Sequence, residues 1–292
     1  MTAMPTAASN GIEICYDTFG DPTDPTILLV MGLGSQMVHW PEDFCALLAG
    51  RRHHVVRFDN RDTGESTWFD HGERPSVRAA IGGGDVAVPY LLDDMADDAA
   101  GLLDHLGVER AHLFGVSMGG MIALAIAIRH PARVATLTSV MSTTGDPDVG
   151  TPTPEAMQAL MALPPTTREA YQDLAVHHSR VWGSPGLFDE QRLRDTAGRA
   201  WDRGFHPAGI ARQMLAIVSS GSRSADLARL AVPTLVIHGT ADTLVQPSGG
   251  ERTAEVIPDA KLLMIEGMGH DLAPPLWPRL VDAVAAHVAE HP

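Results

Sequence analysis

The sequence predicts an α/β protein: a mostly parallel, doubly wound sheet covered by helices on both faces, with a helical cap inserted late in the chain. Three observations carry this. Short apolar, β-branched runs alternate with helical runs through residues 1–141 and again through 232–292. Residues 142–231 between them read as helix and loop, with no convincing strand. Glycine- and aspartate-rich breaks follow several of the strands. Right-handed crossovers put the C-terminal ends of parallel strands on one edge, so those breaks should meet there.

In chain order, Ile12–Phe19 reads as the first strand, ended by Gly20-Asp21-Pro22-Thr23-Asp24-Pro25. Ile27–Met31 is a short buried strand that stops at Gly32-Leu33-Gly34. Pro41–Ala49 is helical. His54–Phe58 is a strand running into Asp59-Asn60-Arg61-Asp62. Leu91–Leu106 places Leu91, Leu92, Met95, Ala99, Leu102, Leu103 and Leu106 at helical spacing, with its carboxylates assigned to the other face. Ala111–Val116 is a strand, and Met118–Ile128, apolar nearly all round, is a buried helix. Val134–Met141 is the next strand.

The character then changes. Ser142–Pro154 has linker composition, and the helical pattern up to about Leu230 is broken at Pro164-Pro165, Gly183-Ser184-Pro185-Gly186 and Pro207. Strands return at Thr234–His238 and Ala260–Ile265, followed by a last helix at Leu276–Ala289. Residues 1–141 and 232–292 are therefore assigned to one core and 142–231 to a cap. A cap over the sheet edge would exclude water and shape a pocket.

Composition narrows the function. The 292 residues carry 21 Lys+Arg against 36 Asp+Glu, a net charge of −15. An acidic chain repels polyphosphate and anionic membrane, so no nucleic-acid or membrane partner is expected. No apolar run reaches the ~18 residues of a membrane span. Met1 to Asn10 lacks the basic and apolar regions of a signal peptide. Cys15 and Cys45 are too few and too far apart for a disulfide framework or a metal knuckle, and read as buried thiols. A cytoplasmic protein without metal or cofactor is the expectation.

The sharpest motif is Gly115-Val116-Ser117-Met118-Gly119, where a strand runs directly into Ser117 and a helix starts directly after it. That turn would project the hydroxyl above the sheet edge at a helix N-terminus, where developing negative charge is favoured. A serine hydroxyl needs a base. Of 14 histidines, His105, His112 and His130 and the pairs His53-His54 and His177-His178 have structural explanations. His270 lies in the loop Glu266-Gly267-Met268-Gly269-His270-Asp271, between the last strand and the last helix. His238, at a strand end, is its main rival. Asp242 follows that strand through Gly239-Thr240-Ala241 and is the favoured partner for the imidazole. Asp271, Glu266 and Asp259 are the alternatives. The chain order Ser117, Asp242, His270 is that of a hydrolase triad. Attack on a carbonyl builds an oxyanion, for which the Met118 and Leu33 N–H groups are the candidate donors. The loop Asp59–Ser66 reads as a structural tie between neighbouring loops.

These residues resemble the α/β-hydrolase superfamily from about Ile12 to the C-terminus. Within it the chain is similar to the aclacinomycin methylesterase-like branch of bacterial esterases. The similar pieces are Gly20-Asp21-Pro22, Val30-Met31-Gly32, Trp40-Pro41, Arg61-Asp62-Thr63-Gly64, Ser117-Met118-Gly119, Val232–Ile237 and Gly267-Met268-Gly269-His270. The resemblance implies an α/β-hydrolase fold with Ser117, Asp242 and His270 as nucleophile, acid and base, and Met118 and Leu33 as oxyanion amides. Many superfamily members carry His-Gly where this chain has Met31-Gly32. The resemblance also implies a serine hydrolase of carboxylic esters. The cap residues Met157, Leu160, Met161, Met214 and Leu215 suit a small-molecule ester with an apolar group, or simply core packing. A cofactor-free perhydrolase or haloperoxidase, a C–C bond hydrolase and a thioesterase would use the same triad. A ligand-binding protein on the same scaffold is the non-enzymatic alternative.

Overall fold

A computed structural model of the chain describes residues 4–70, 76–82, 84 and 86–291. Eight strands form one sheet: β1 (Thr6–Ser9), β2 (Ile12–Phe19), β3 (Thr26–Val30), β4 (His54–Phe58), β5 (Ala111–Val116), β6 (Val134–Val140), β7 (Thr234–Gly239) and β8 (Lys261–Ile265). Their spatial order is β1-β2-β4-β3-β5-β6-β7-β8. β1 and β2 pair antiparallel with each other, and β2 pairs antiparallel with β4. All the remaining pairs are parallel. The sheet is the mostly parallel one that the alternation of strands and helices predicts.

β3 shows why. All five of its residues are buried. Ile27 and Leu29 pack on one face of the sheet, Leu28 and Val30 on the other. A strand covered on both faces has no polar side and so loses the usual alternation. Four helices do the covering: α1 (Glu42–Ala49), α3 (Leu92–His105), α4 (Met118–Arg129) and α11 (Trp277–Ala289). The side of α3 and α4 gathers Leu92, Met95, Leu102, Ile122 and Leu124 against Leu28, Val56 and Leu113. The side of α1 and α11 gathers Phe44, Leu48, Leu280 and Val284 against Leu29, Val55 and Phe114. There Phe44 lies 6.0 Å from Phe114 and 5.6 Å from Trp277, ring centre to ring centre, both edge-on. Each fully buried aromatic or aliphatic side chain contributes about 1.5–3 kcal/mol to such a core.

Five helices fall between β6 and β7 in sequence: α5 (Pro154–Leu160), α6 (Arg168–Trp182), α7 (Glu190–Gly204), α8 (Pro207–Ser220) and α9 (Ser224–Leu227). α10 (Ser248–Val256) joins β7 to β8, and α2 (Val77–Ile81) precedes α3.

Three departures from expectation have physical causes. β1 and α2 carry too little apolar periodicity in four and five residues to be read from sequence. The carboxylates of α3 do not all lie on its outer face. Asp98 is buried and takes two 2.6 Å hydrogen bonds from the Arg61 guanidinium, because a paired carboxylate can be buried where an unpaired one cannot. Among the described residues, no helix is long and apolar enough to cross a membrane.

Candidate active site

β5 leads straight into Ser117, whose backbone stands at φ 55°, ψ −124°, and α4 begins at the next residue. This is a left-handed φ on a residue with a side chain, a conformation that costs about 1–3 kcal/mol and persists only when the surroundings enforce it. The enforcement is visible. Ser117 N donates to Val140 O at 3.0 Å, continuing the ladder between β5 and β6 past the strand end. Gly119 seats the start of α4 against β3 so closely that a Cβ there would lie 2.0 Å from Val30 O. Only glycine permits that approach. The Ser117 hydroxyl is thereby held beside the helix N-terminus, at the C-terminal edge of the sheet.

Two further loops reach the same edge. After β7, Ala241 N bonds Met268 O at 2.9 Å, which ties the Asp242 loop to the His270 loop. Asp242 is buried, and its Oδ1 accepts from the N–H groups of Leu244 and Val245, both at 2.9 Å. Its Oδ2 lies 2.7 Å from His270 Nδ1. His270 Nε2 in turn lies 2.9 Å from Ser117 Oγ. Three side chains separated by 153 positions along the chain thus form one continuous line of hydrogen bonds. Burial alone would raise the Asp242 carboxyl. The His270 and His238 imidazoles outweigh it and hold the group well below the usual carboxylate range. Asp242 is therefore an anion that can orient an imidazole and stabilise its cation.

His238, the rival base, turns out to lie behind the acid. It is fully buried in β7, with Nε2 2.7 Å from Val245 O and 3.4 Å from Asp242 Oδ2. Among the described residues it makes no hydrogen bond to Ser117, whose hydroxyl meets His270 instead. The three alternative acids are also elsewhere. Glu266 and Asp259 are exposed. Asp271 bonds the backbone N–H and hydroxyl of Ser184 at 3.0 and 2.5 Å.

The candidate oxyanion donors flank the hydroxyl. Met118 is the first residue of α4, so its N–H has no partner within the helix. The loop after β3 passes close by: a Cβ on Gly32 would stand 3.2 Å from Ser117 Cβ. Leu33 follows it. Among the described residues, neither the Met118 nor the Leu33 N–H donates to a protein acceptor.

Several residues that sequence reasoning did not single out hold these loops. Gln213 on α8 accepts from Gly34 N at 2.8 Å and donates to Arg61 O and Thr63 Oγ1, both at 2.7 Å. Arg212 grips Asp62 with two 2.8 Å bonds, and Arg203 on α7 donates to Asp59 at 2.7 Å. The Asp59–Ser66 loop is thus a structural tie. Its carboxylates hold α7 and α8 as well as the neighbouring loops. On the other side, His270 N donates to Trp182 O at 2.6 Å and Gly269 N to Ser184 Oγ at 2.9 Å. A Cβ at position 269 would sit 2.3 Å from the Gly183 carbonyl carbon, which explains the glycine before the histidine. No local pattern marks these partners, because each lies far from its contact in sequence.

The remaining singled-out residues take structural positions. His130 lies 2.7 Å from Asp97, His112 3.0 Å from Thr136 Oγ1, and His54 3.1 Å from Thr26 Oγ1. His105 is exposed and edge-on to Tyr16, while His178 packs against Trp182 with its ring tilted by 31° and 4.3 Å between ring centres. Cys15 and Cys45 are both buried, and burial pushes each thiol up to about 12, which keeps it protonated and unreactive. Of the apolar residues between β6 and β7, Leu215 is buried and Met157 is 39% exposed.

The comparisons with known proteins agree with this architecture. Residues 25–273 match the family model described as the alpha/beta hydrolase fold. Rhodomycin D methylesterases of Streptomyces sp. and Streptomyces peucetius are 31% and 30% identical over 310 residues, covering 97% of this chain and 98% of each relative. A putative carbamate hydrolase of Pseudomonas savastanoi is 26% identical over 84% of this chain and 86% of its own length. Among solved structures, an enol-lactonase from Burkholderia xenovorans superposes with a TM-score of 0.75 at 24% identity, covering 98% of this chain and all of the neighbour. The chain belongs to the α/β-hydrolase fold family, in the branch that holds the rhodomycin D methylesterases.

Proposed function

We propose that the chain is a serine hydrolase of carboxylic esters. Ser117 attacks the ester carbonyl while His270 takes its proton. Asp242 fixes the tautomer of the imidazole and stabilises the imidazolium. The Met118 and Leu33 N–H groups receive the oxyanion, each supplying on the order of 3–4 kcal/mol of transition-state stabilisation. His270 then protonates the leaving alcohol, and water, activated by the same imidazole, releases the acid from Ser117. The chemistry needs no cofactor. Residues 142–231 act as a cap that covers the site and limits access of water.

The observation that carries this reading is the hydrogen-bonded line from Asp242 through His270 to Ser117, at 2.7 and 2.9 Å, ending on a serine at a strained strand-to-helix turn. The methylesterase relatives support a carboxylic ester as the substrate class, with methyl esters as its first members. The substrate is a small molecule, and the apolar residues of the 142–231 segment favour an apolar acyl or alcohol group. A carbamate is the second reading, favoured by the carbamate hydrolase relatives.

A fluorophosphonate probe followed by peptide mass spectrometry tests the nucleophile. The expected result is one adduct, on Ser117, absent from Ser117→Ala. An adduct on another serine overturns the assignment. Ester hydrolysis by Ser117→Ala is expected to fall by about four to six orders of magnitude in kcat. A panel of esters varied separately in acyl and alcohol size, with a carbamate arm, reads the pocket. Turnover confined to carbamates would replace the ester reading.

A further inference from the structure

Near the end of the sequence stand His287-Val288-Ala289-Glu290-His291. Residues at i, i+3 and i+4 share one face of a helix. α11 carries His287, and Glu290 keeps helical angles of φ −75°, ψ −14° just past its end. One ligand atom from each of His287, Glu290 and His291 lies within 4.8 Å of the other two. The two imidazoles stand 5.3 Å apart, edge-on.

His287 is the informative member. It is 4% exposed, and its Nε2 donates to Pro233 O at 3.2 Å. Its Nδ1 is buried and, among the described residues, has no hydrogen-bond partner. A neutral imidazole that donates through Nε2 carries its lone pair on Nδ1. Buried polar atoms are nearly always satisfied. One ring nitrogen fixed on a backbone carbonyl and the other left free is the way a protein orients a metal-binding histidine. The partners at hand suit a cation. Glu290 attracts a cation already: its carboxylate pairs with Lys261 at the start of β8, and a metal ion would share or displace that ammonium. His291 is partly exposed and free to adjust.

We propose that His287, Glu290 and His291 form a binding site for a divalent transition-metal ion, with zinc as the test ion. Two imidazoles and one carboxylate match the ligand preferences of zinc, and water would fill a fourth position. Ligands about 2.0–2.1 Å from a tetrahedral ion stand roughly 3.4 Å from one another. The ligand atoms lie within 4.8 Å of one another, so closing on an ion requires rotation of the Glu290 and His291 side chains and loosening of the Glu290–Lys261 pair. The location assigns the role. Pro233 immediately precedes β7 and Lys261 opens β8, so the site lies at the N-terminal edge of the sheet. The Ser117–His270 pair lies at the opposite edge. A bound ion would clamp α11 to the lower edge of the sheet and stabilise the fold, with no part in ester cleavage.

The test uses full-length, tag-free protein stripped with EDTA and titrated with zinc chloride, read by calorimetry and thermal unfolding. One equivalent is expected to bind per chain, and Tm is expected to rise with zinc concentration. His287→Ala opens a buried position and can fail to fold, so the surface ligands carry the experiment. His291→Ala is expected to abolish the uptake, and Glu290→Gln to weaken it at least tenfold. His177→Ala, an exposed histidine of α6, is expected to bind like the unaltered chain. No zinc uptake by the unaltered protein overturns the site. So does one-equivalent binding that survives in His291→Ala or keeps its affinity in Glu290→Gln, or that is lost in His177→Ala.

Discussion

Asp271, the residue directly after His270, turns its carboxylate onto Ser184, accepting from its hydroxyl at 2.5 Å and from its N–H at 3.0 Å. The same hydroxyl accepts from Gly269 N at 2.9 Å. Ser184 sits between α6 and α7, so the 142–231 segment grips the histidine loop on both sides of His270. Ser184→Ala removes both hydroxyl bonds of that grip, leaving the backbone N–H on Asp271, without touching the reacting atoms. It is expected to lower kcat about tenfold, equivalent to ~1.4 kcal/mol, with a smaller change in KM. Steady-state kinetics on the folded variant checks this, and an unaltered kcat would show that the loop holds its place without Ser184.

His238 gives Asp242 a second imidazole, 3.4 Å from the oxygen that faces His270. Replacing it removes one of the groups that keep the carboxyl ionised and in place. His238→Asn is expected to fold, to lower kcat by roughly tenfold, and to shift the acid limb of the pH–rate profile. A merely structural role would lower stability and leave that limb where it was.

The backbone of Ser117 predicts a trade between activity and stability. Glycine relieves the left-handed strain of about 1–3 kcal/mol but adds ~0.5–1 kcal/mol of unfolded-state entropy. Ser117→Gly is therefore expected to be inactive yet about 1 kcal/mol more stable than Ser117→Ala, which keeps the strain. Urea denaturation of the two inactive variants measures the difference, and equal midpoints would mean that the strain is no larger than that entropy cost of ~0.5–1 kcal/mol.

His178 is pulled down to about 4 by burial, against an ordinary value of 6.5. A histidine whose folded value lies below its unfolded value stabilises fully above the unfolded value. That contribution is lost as pH falls from about 6.5 towards 4, because the unfolded chain takes up the proton first. The loss is at most ~3 kcal/mol, and less because the ring is only partly covered. His178→Phe keeps a ring against Trp182 and is expected to flatten the decline in stability between pH 6.5 and 4. Chemical denaturation at several pH values in that window checks it.

How far the sequence reads can be seen residue by residue. Ile27 to Val30 announce a doubly covered strand because burial on both faces leaves no polar position. Met118–Ile128 announces a buried helix for the same reason, and ten residues of α4 are buried. Ser117, Asp242 and His270 stand out because strand ends and glycine-rich loops are local patterns, and parallel topology sends those ends to one edge. Helical periodicity puts Asp98 on the outer face, and the structure buries it because its partner, Arg61, lies 37 positions away. His238, at a strand end, reads locally as a rival base, and no local pattern shows that its ring packs against Asp242 and Val245 instead.

Periodicity and punctuation, which act over a few residues, were enough to determine the order of strands and helices and the loops on which the chemistry would sit. Only tertiary structure decided which groups meet across long separations: Gln213 on Gly34, Arg212 on Asp62, Ser184 on Asp271, His287 against Pro233. The physical reason is range. Side-chain hydrogen bonds and ion pairs form at about 3 Å between groups that chain order leaves far apart, and packing of the whole core is what brings them within that distance.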